Sequence, residues 1–116
     1  MAELRVVRHT DRYDDAVVFY RDVLAWPVVR AWTEGGRGCL LGYSDTAVVE
    51  LLEVDHAEPV AGVFVSVEVH DVGAVVRRLT DGRVPITQPL ADQPWGHRSV
   101  GVTDPTGLPV VLFQVL

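Results

Sequence analysis

The chain consists of two similar halves, and this internal repeat limits its possible folds more than any other feature. In each half a valine-rich segment precedes an apolar pattern spaced i, i+3, i+4, i+7, which marks one face of an amphipathic helix. The two helical patterns begin 59 residues apart, at Tyr13 and Val72. Because each half buries only one face by itself, we expect the halves to pack together and to leave a cleft that holds the functional site.

Short apolar segments on both sides of each helical pattern predict β-strands. The predicted strands cover residues 4–8, 28–33, 38–43 and 46–53 in the first half, and residues 63–69, 84–88, 97–103 and 108–115 in the second. The order βαβββ therefore occurs twice. This order predicts an α+β fold in which two βαβββ modules form curved, mainly antiparallel sheets around a cleft, with the helices outside.

The modules are predicted to cover residues 1–54 and 63–116, with residues 55–62 as the linker between them. Thr10 or Asp11 is expected to cap the first helix and Asp71 the second, because their side-chain oxygens can accept hydrogen bonds from the first helical turn. Residues 89–95 contain two prolines and Trp95 and are predicted to form a loop.

Composition argues against several classes of function. The 116 residues include 16 acidic and 10 basic side chains, a formal net charge of −6, whereas a nucleic-acid groove requires a basic surface. No apolar run approaches the ~20 residues of a membrane span. The amino terminus also lacks the apolar stretch of a signal peptide, so we expect a cytoplasmic protein without membrane contact. The single cysteine, Cys39, is predicted to be a buried apolar residue rather than a nucleophile.

Three motifs resemble those of a known family. FYRDVL at residues 19–24 resembles the FY-x-x-x-L signature of the vicinal oxygen chelate superfamily, which includes glyoxalases, bleomycin resistance proteins and extradiol dioxygenases. DPTG at residues 104–107 is similar to its D-P-x-G turn. PWGHR at residues 94–98 is similar to the P-W-G-x-R loop of its glyoxalase and bleomycin-resistance branches. The resemblance covers nearly the whole chain and implies the same pair of βαβββ modules.

The resemblance also indicates where a metal would bind. Metal-dependent members place four ligands, usually His or Glu, on strands that face the cleft, and the matching positions here are Arg5, Glu50, Phe64 and Val111. Only Glu50 is a plausible ligand, because arginine does not give up its proton and the other two side chains have no donor atom. The resemblance therefore implies the metal-free, bleomycin-resistance-like branch, whose members bind drugs and are typically homodimers, with no cofactor.

Two features of the predicted cleft have alternative interpretations. The charges of Arg5 and Glu50 either anchor a polar group of a ligand or form a salt bridge that replaces the metal. The indole of Trp95 either stacks on a flat or cationic ligand or packs against the core or a dimer interface. Trp32 lies on a predicted strand and can face either side.

His97 and Arg98 follow the Trp95 loop. A histidine beside an arginine in a cleft can serve as a general base, since its unperturbed pKa lies near neutrality. No nucleophile or second carboxylate is placed by the sequence to complete a mechanism. A solvated loop histidine is the alternative interpretation, and we assign no catalytic residue.

The sequence thus favours a metal-free protein that binds a small molecule, such as an aromatic or cationic antibiotic-like compound, over an enzyme. The alternative is a metal-dependent lyase, isomerase or dioxygenase of the same superfamily, and a third hypothesis is a small dimeric protein with a vestigial cleft. The residues predicted to line the cleft are Arg5, Trp32, Glu50, Phe64, Trp95, His97, Arg98, Val111 and Phe113.

Overall fold

The computed structural model describes residues 2–116 and divides into two compact units. The first unit ends at Pro59 and the second begins at Val60, which places the boundary within residues 55–62. Each unit is a four-stranded mixed sheet with helical structure after its first strand, so the predicted α+β architecture with two βαβββ modules is confirmed. None of the helices within residues 2–116 has the length and hydrophobicity of a membrane span.

The first unit contains four strands and one helical region. In chain order these are β1 (Leu4–Thr10), α1 (Tyr13–Val17) with a π-helical continuation (Val18–Val23), β2 (Val28–Trp32), β3 (Gly38–Ser44) and β4 (Ala47–Glu53). The strand order in the sheet is β1-β4-β3-β2, in which β1 runs parallel to β4 and the other neighbours are antiparallel.

The second unit repeats this arrangement. Its elements are β5 (Val65–Glu68), α2 (Val72–Asp81), β6 (Ile86–Asp92), β7 (His97–Thr103) and β8 (Pro109–Val115). The strand order is β5-β8-β7-β6, with β5 parallel to β8 and the other pairs antiparallel. The two sheets therefore have the same topology, as the sequence repeat predicts.

The two helices begin differently. The Asp71 side chain accepts a hydrogen bond of 3.1 Å from the Ala74 N–H, so Asp71 caps α2 as predicted. The predicted cap of α1 is wrong, because no side chain caps its first turn. The Thr10 hydroxyl instead accepts from the Arg12 N–H at 2.9 Å and fixes the turn that precedes the helix.

The sequence prediction of the segment from residue 84 to 95 also needs correction. A short strand followed by a loop from Pro89 was expected, but β6 continues through Pro89 to Asp92. Proline is tolerated there because β6 is the edge strand of its sheet and its pairing with β7 is irregular between Gln88 and Ala91. The loop before β7 is therefore confined to four residues, 93–96.

Each unit has its own apolar core. Fully buried side chains in the first unit include Ala16, Tyr20, Leu41 and Leu51, and those in the second unit include Val72, Leu79, Leu108 and Leu112. The two helical patterns recognised in the sequence thus contribute to the cores as predicted.

Candidate ligand-binding site

A cavity of about 670 Å³ lies on one face of the second sheet. Side chains of a strand alternate between the two faces, and Val67, Val100 and Leu112 are buried in the core. Their neighbours Ser66 and Phe113 face the other side and line the cavity. The full lining consists of Gly62, Val63, Phe64, Ser66, Thr87, Gln88, Gln93, Trp95, His97, Ser99, Gly101, Val102, Pro109, Val110, Val111 and Phe113, all from the second unit.

Four aromatic rings line this cavity, those of Phe64, Trp95, His97 and Phe113. Phe64 and Trp95 are 61% and 69% exposed, which is high for large apolar side chains. The His97 imidazole and the Phe113 ring stack on each other, with centroids 4.2 Å apart and planes inclined by 12°. Exposed apolar rings that share a concave surface are typical of a ligand-binding site, whereas rings in a hydrophobic core are buried.

Trp95 occupies the tip of a tight turn between β6 and β7. The Gln93 N–H donates to the His97 carbonyl at 2.6 Å, and the Gly96 N–H donates to the Gln93 carbonyl at 3.1 Å. Gly96 has a φ of +92°, which a residue with a side chain rarely adopts. The turn holds the indole at the rim of the cavity, and its exposure excludes the alternative that Trp95 packs in the core.

The polar groups of the cavity are neutral amides and hydroxyls. The Gln93 side-chain NH₂ donates to the Ser99 hydroxyl at 3.2 Å, and Gln88 and Ser66 also line the cavity. Among the lining residues within 2–116 there is no Asp, Glu, Lys or Arg. The cavity is therefore suited to stacking and to hydrogen bonding of an uncharged molecule, and its residues offer no carboxylate partner for a cation.

Of the nine residues predicted to form the site, five line this cavity: Phe64, Trp95, His97, Val111 and Phe113. Arg98 does not, because consecutive residues of β7 face opposite sides of the sheet. Its guanidinium binds the Asp92 carboxylate across the β6–β7 pair, with distances of 2.7 and 3.3 Å. This hydrogen bond lowers the pKa of Asp92 below its usual range.

Arg5 and Glu50 lie in the first unit and form a salt bridge, one of the two arrangements that the sequence left open. Arg5 Nη1 is 3.2 Å from Glu50 Oε1, and the Arg5 guanidinium also binds Glu3. Hydrogen bonds to Glu3 and Glu50 raise the pKa of Arg5 above its usual value. The Glu50 carboxylate, whose side chain is 16% exposed, is therefore engaged by a guanidinium that stays protonated.

These residues do not fit the metal centre of the metal-dependent proteins that the sequence resembles. Glu50 is neutralised by Arg5, and the matched positions in the second unit, Phe64 and Val111, carry only carbon side chains. Within residues 2–116, no three His, Cys, Asp or Glu side chains lie close enough together to hold a metal ion.

Trp32 lies beside a different cavity, of about 490 Å³, in the first unit. This cavity is lined by residues of α1 and β2 and by Arg37 and Cys39. The Trp32 ring covers Gly38, where a Cβ would approach it to 2.5 Å, and the Arg30 guanidinium carbon is 5.6 Å from the ring centroid. Cys39 is 2% exposed and thus buried as predicted.

Sequence reasoning did not identify the polar residues of the second-unit cavity. Gln88 and Gln93 were assigned to a strand and a loop without a role, and Ser66 and Ser99 were not singled out. The signal that places Gln88 and Ser99 in the cavity is strand register, since Gln88 pairs with Gly101 and Ser99 with Phe113. A single sequence does not specify this register when the edge strand is irregular.

Comparisons with known proteins agree with this fold. The model of the family described as the Glyoxalase/Bleomycin resistance protein/Dioxygenase superfamily matches residues 4–112. Among curated proteins none matches significantly.

Solved structures with a similar fold include TioX from Micromonospora sp. ML1, at 23% identity and a TM-score of 0.80 over 100% of both chains. They also include lactoylglutathione lyase from Agrobacterium tumefaciens, at 20% identity and a TM-score of 0.72 over 97% of this chain and 92% of that one. A third is a glyoxylase/bleomycin resistance protein/dioxygenase domain from Frankia sp. EAN1pec, at 13% identity and a TM-score of 0.81 over 100% and 93%. At these identities the likeness concerns the fold alone.

Proposed function

The chain belongs to the Glyoxalase/Bleomycin resistance protein/Dioxygenase superfamily, and we propose that it binds a flat, uncharged small molecule without transforming it. The observation that carries this proposal is the aromatic cavity on the second sheet, with Phe64, Trp95 and the stacked pair His97–Phe113 around a space of about 670 Å³. Ligand pockets for drug-sized molecules usually have volumes of about 300–1,000 Å³ and the same mixture of apolar walls and few polar groups.

The chemistry of the lining supports binding over catalysis. Its side chains include one imidazole, two carboxamides and three hydroxyl groups, and the imidazole stacks on Phe113. Covalent or acid–base catalysis requires a nucleophile with an adjacent base, or a pair of proton donors and acceptors. The superfamily also contains metal-dependent enzymes, but Arg5, Phe64 and Val111 do not supply the ligands for a metal.

The same cavity narrows the class of ligand. The sequence is compatible with an aromatic or a cationic ligand. Because the described lining residues include no carboxylate, the cavity favours an uncharged aromatic ligand. The acidic net charge of −6 attracts cations to the whole protein only weakly at physiological salt.

We also propose that the protein is a homodimer. Apolar side chains remain exposed on both units, among them Leu4 at 66%, Val63 at 54% and Leu116 at 58%. A second copy of the chain would cover such groups. Sedimentation equilibrium should give a mass near twice 12.8 kDa, whereas a monomer mass independent of concentration would contradict the proposal.

Ligand binding is tested by equilibrium dialysis with two three-ring probes, uncharged phenanthridine and cationic proflavine. Phenanthridine should bind the wild-type protein at least as tightly as proflavine. Trp95→Ala should weaken phenanthridine binding about three- to thirtyfold, because it removes one stacking surface. Since Trp95 is 69% exposed, its removal should change the free energy of unfolding by less than about 0.5 kcal/mol.

Trp32→Ala provides the matched control, because it removes an indole that does not line this cavity. Its affinity for phenanthridine should equal that of the wild type. The proposal is wrong if neither probe binds, or if Trp95→Ala binds phenanthridine as tightly as the wild type. Loss of affinity in Trp32→Ala alone would move the ligand to the cavity of the first unit.

A further inference from the structure

Strand β6 carries a carboxamide into the cavity at Gln88, and the neighbouring strand makes room for it. Gln88 pairs with Gly101 of β7. A Cβ at Gly101 would lie 2.9 Å from Gln88 Cβ and 3.1 Å from both Cγ and Oε1. The Gln88 side chain therefore lies flat across Gly101, and glycine is required at this position for close approach rather than for an unusual φ.

The carboxamide of Gln88 is free to bind a ligand. The other glutamine of the cavity, Gln93, already donates to Ser99 at 3.2 Å. Gln114 lies outside the cavity and accepts from the Val72 N–H at 3.1 Å. Within the part of the chain that the structure describes, no group donates to or accepts from the Gln88 carboxamide.

We propose that the ligand carries a hydrogen-bond donor next to an acceptor, as a ring lactam does, and that Gln88 binds this edge. A carboxamide presents one acceptor oxygen and one NH₂ donor side by side, which is the complement of a lactam. A carboxylate edge fits less well, because the described lining contains no Arg or Lys. This inference rests on the proposed function and makes Gln88 a specificity-determining residue of the same site.

The lactam edge is the feature that the polar groups select, whereas the rings supply general affinity. Trp95, Phe64 and the His97–Phe113 pair line the cavity and would stack on the faces of a flat molecule. A site built to bind a polar edge discriminates against an analogue that lacks it, since its own polar groups then lose their partners. A variant that loses its preference for the lactam over the analogue without one can therefore be told apart from a variant that loses affinity for both.

The test compares phenanthridinone, a three-ring lactam, with phenanthridine, which has the same ring frame and no lactam. Equilibrium dialysis should show that the wild type prefers phenanthridinone about three- to tenfold, the value of one or two exposed hydrogen bonds. Gln88→Leu should abolish this preference, so that the two compounds bind the variant with equal affinity. Gly101→Ala should reduce the preference too, because the new methyl group displaces the Gln88 side chain.

Gln114→Leu is the matched control and should keep the wild-type preference. Equal affinity of the wild type for the two compounds would overturn the inference while the proposed function stands, and so would a preference that survives in Gln88→Leu. If neither compound binds the wild type, both proposals fail. Melting temperatures of the variants distinguish a local effect on binding from unfolding. If Gly101→Ala does not fold, Gln88→Leu still tests the inference, because Gln88 lies on an exposed edge strand.

Discussion

The imidazole of His97 lies against the ring of Phe113, with centroids 4.2 Å apart and planes inclined by only 12°. The two residues lie on adjacent antiparallel strands and are diagonal neighbours, because Phe113 pairs with Ser99 and His97 with Val115. Both side chains line the cavity of the second unit. The stack therefore provides a wide, flat wall with few rotamers left to order when a ligand binds.

Phe113→Leu should weaken phenanthridine binding about two- to tenfold, because leucine removes the flat surface and frees the His97 ring. Equilibrium dialysis measures the effect. Tyr43→Leu offers the matched control, since Tyr43 is an aromatic side chain of the first unit that is 42% exposed. An affinity of Phe113→Leu equal to that of the wild type would show that the stack does not contribute to the site.

The purified protein should contain no stoichiometric zinc, nickel, iron or manganese. Arg5 binds the carboxylate of Glu50 at 3.2 Å, and Phe64 and Val111 have no donor atoms at the other matched positions. Elemental analysis of protein purified without added metal salts measures this directly. Stoichiometric metal that is lost in Glu50→Ala would contradict the prediction.

Asp104→Ala should destabilise the protein by about 1–3 kcal/mol, because buried donors lose their acceptor. Asp104 is 3% exposed, and its Oδ1 accepts from the Thr106 N–H, the Thr106 hydroxyl and the Leu108 N–H at 2.8, 2.7 and 3.0 Å. Urea unfolding gives the free energy. Asp45→Ala, in the exposed turn before β4, should change it by less than about 0.5 kcal/mol; similar values for the two variants would refute this role of Asp104.

Stability should fall at alkaline pH partly because of Tyr13. Burial is the main cause that raises the pKa of Tyr13, followed by its hydrogen bond to Cys39. Well below pH ~10, Tyr13 is neutral in both the folded and the unfolded state. Its full contribution to the free energy of unfolding is then present. As pH rises further, the unfolded chain ionises first and stability is lost.

Melting temperatures between pH ~8 and ~11.5 test this expectation. All ten basic residues are arginine, so no lysine titrates in this range. Tyr13→Phe should lose less stability than the wild type as the pH rises. Parallel curves for Tyr13→Phe and the wild type would exclude a contribution from Tyr13.

The sequence predicted much of the fold because it carries the same helical spacing twice, each time between short apolar segments. The helical spacing from Tyr13 and from Val72, the Asp71 cap and the DPTG turn each depend on local residues, and the structure has them where the sequence predicts them. The prediction that a loop begins at Pro89 was wrong, because proline is tolerated in an edge strand. Whether a strand lies at the edge depends on the order of strands in the sheet, which the local sequence does not give.

The sequence predicted only some of the site residues, because strand pairing decides which side chains face the cavity. Trp95 and Phe113 are conspicuous by residue type and line the cavity. Arg98 was placed with His97 because they are adjacent in sequence, yet neighbours on a strand face opposite sides. Gln88 gives no signal by itself, since its place in the cavity depends on the absence of a side chain at Gly101, thirteen residues later in the sequence.

The most direct test of a ligand site on the second sheet is a map of amide chemical shifts during titration with phenanthridinone. The site predicts saturable shifts at the amides of Gly96, His97, Ser99 and Gly101, together with the indole N–H of Trp95, while the amides around Trp32 and Cys39 stay unchanged. Shifts concentrated at Trp32 and Cys39, with those of the second-unit cavity unmoved, would contradict it.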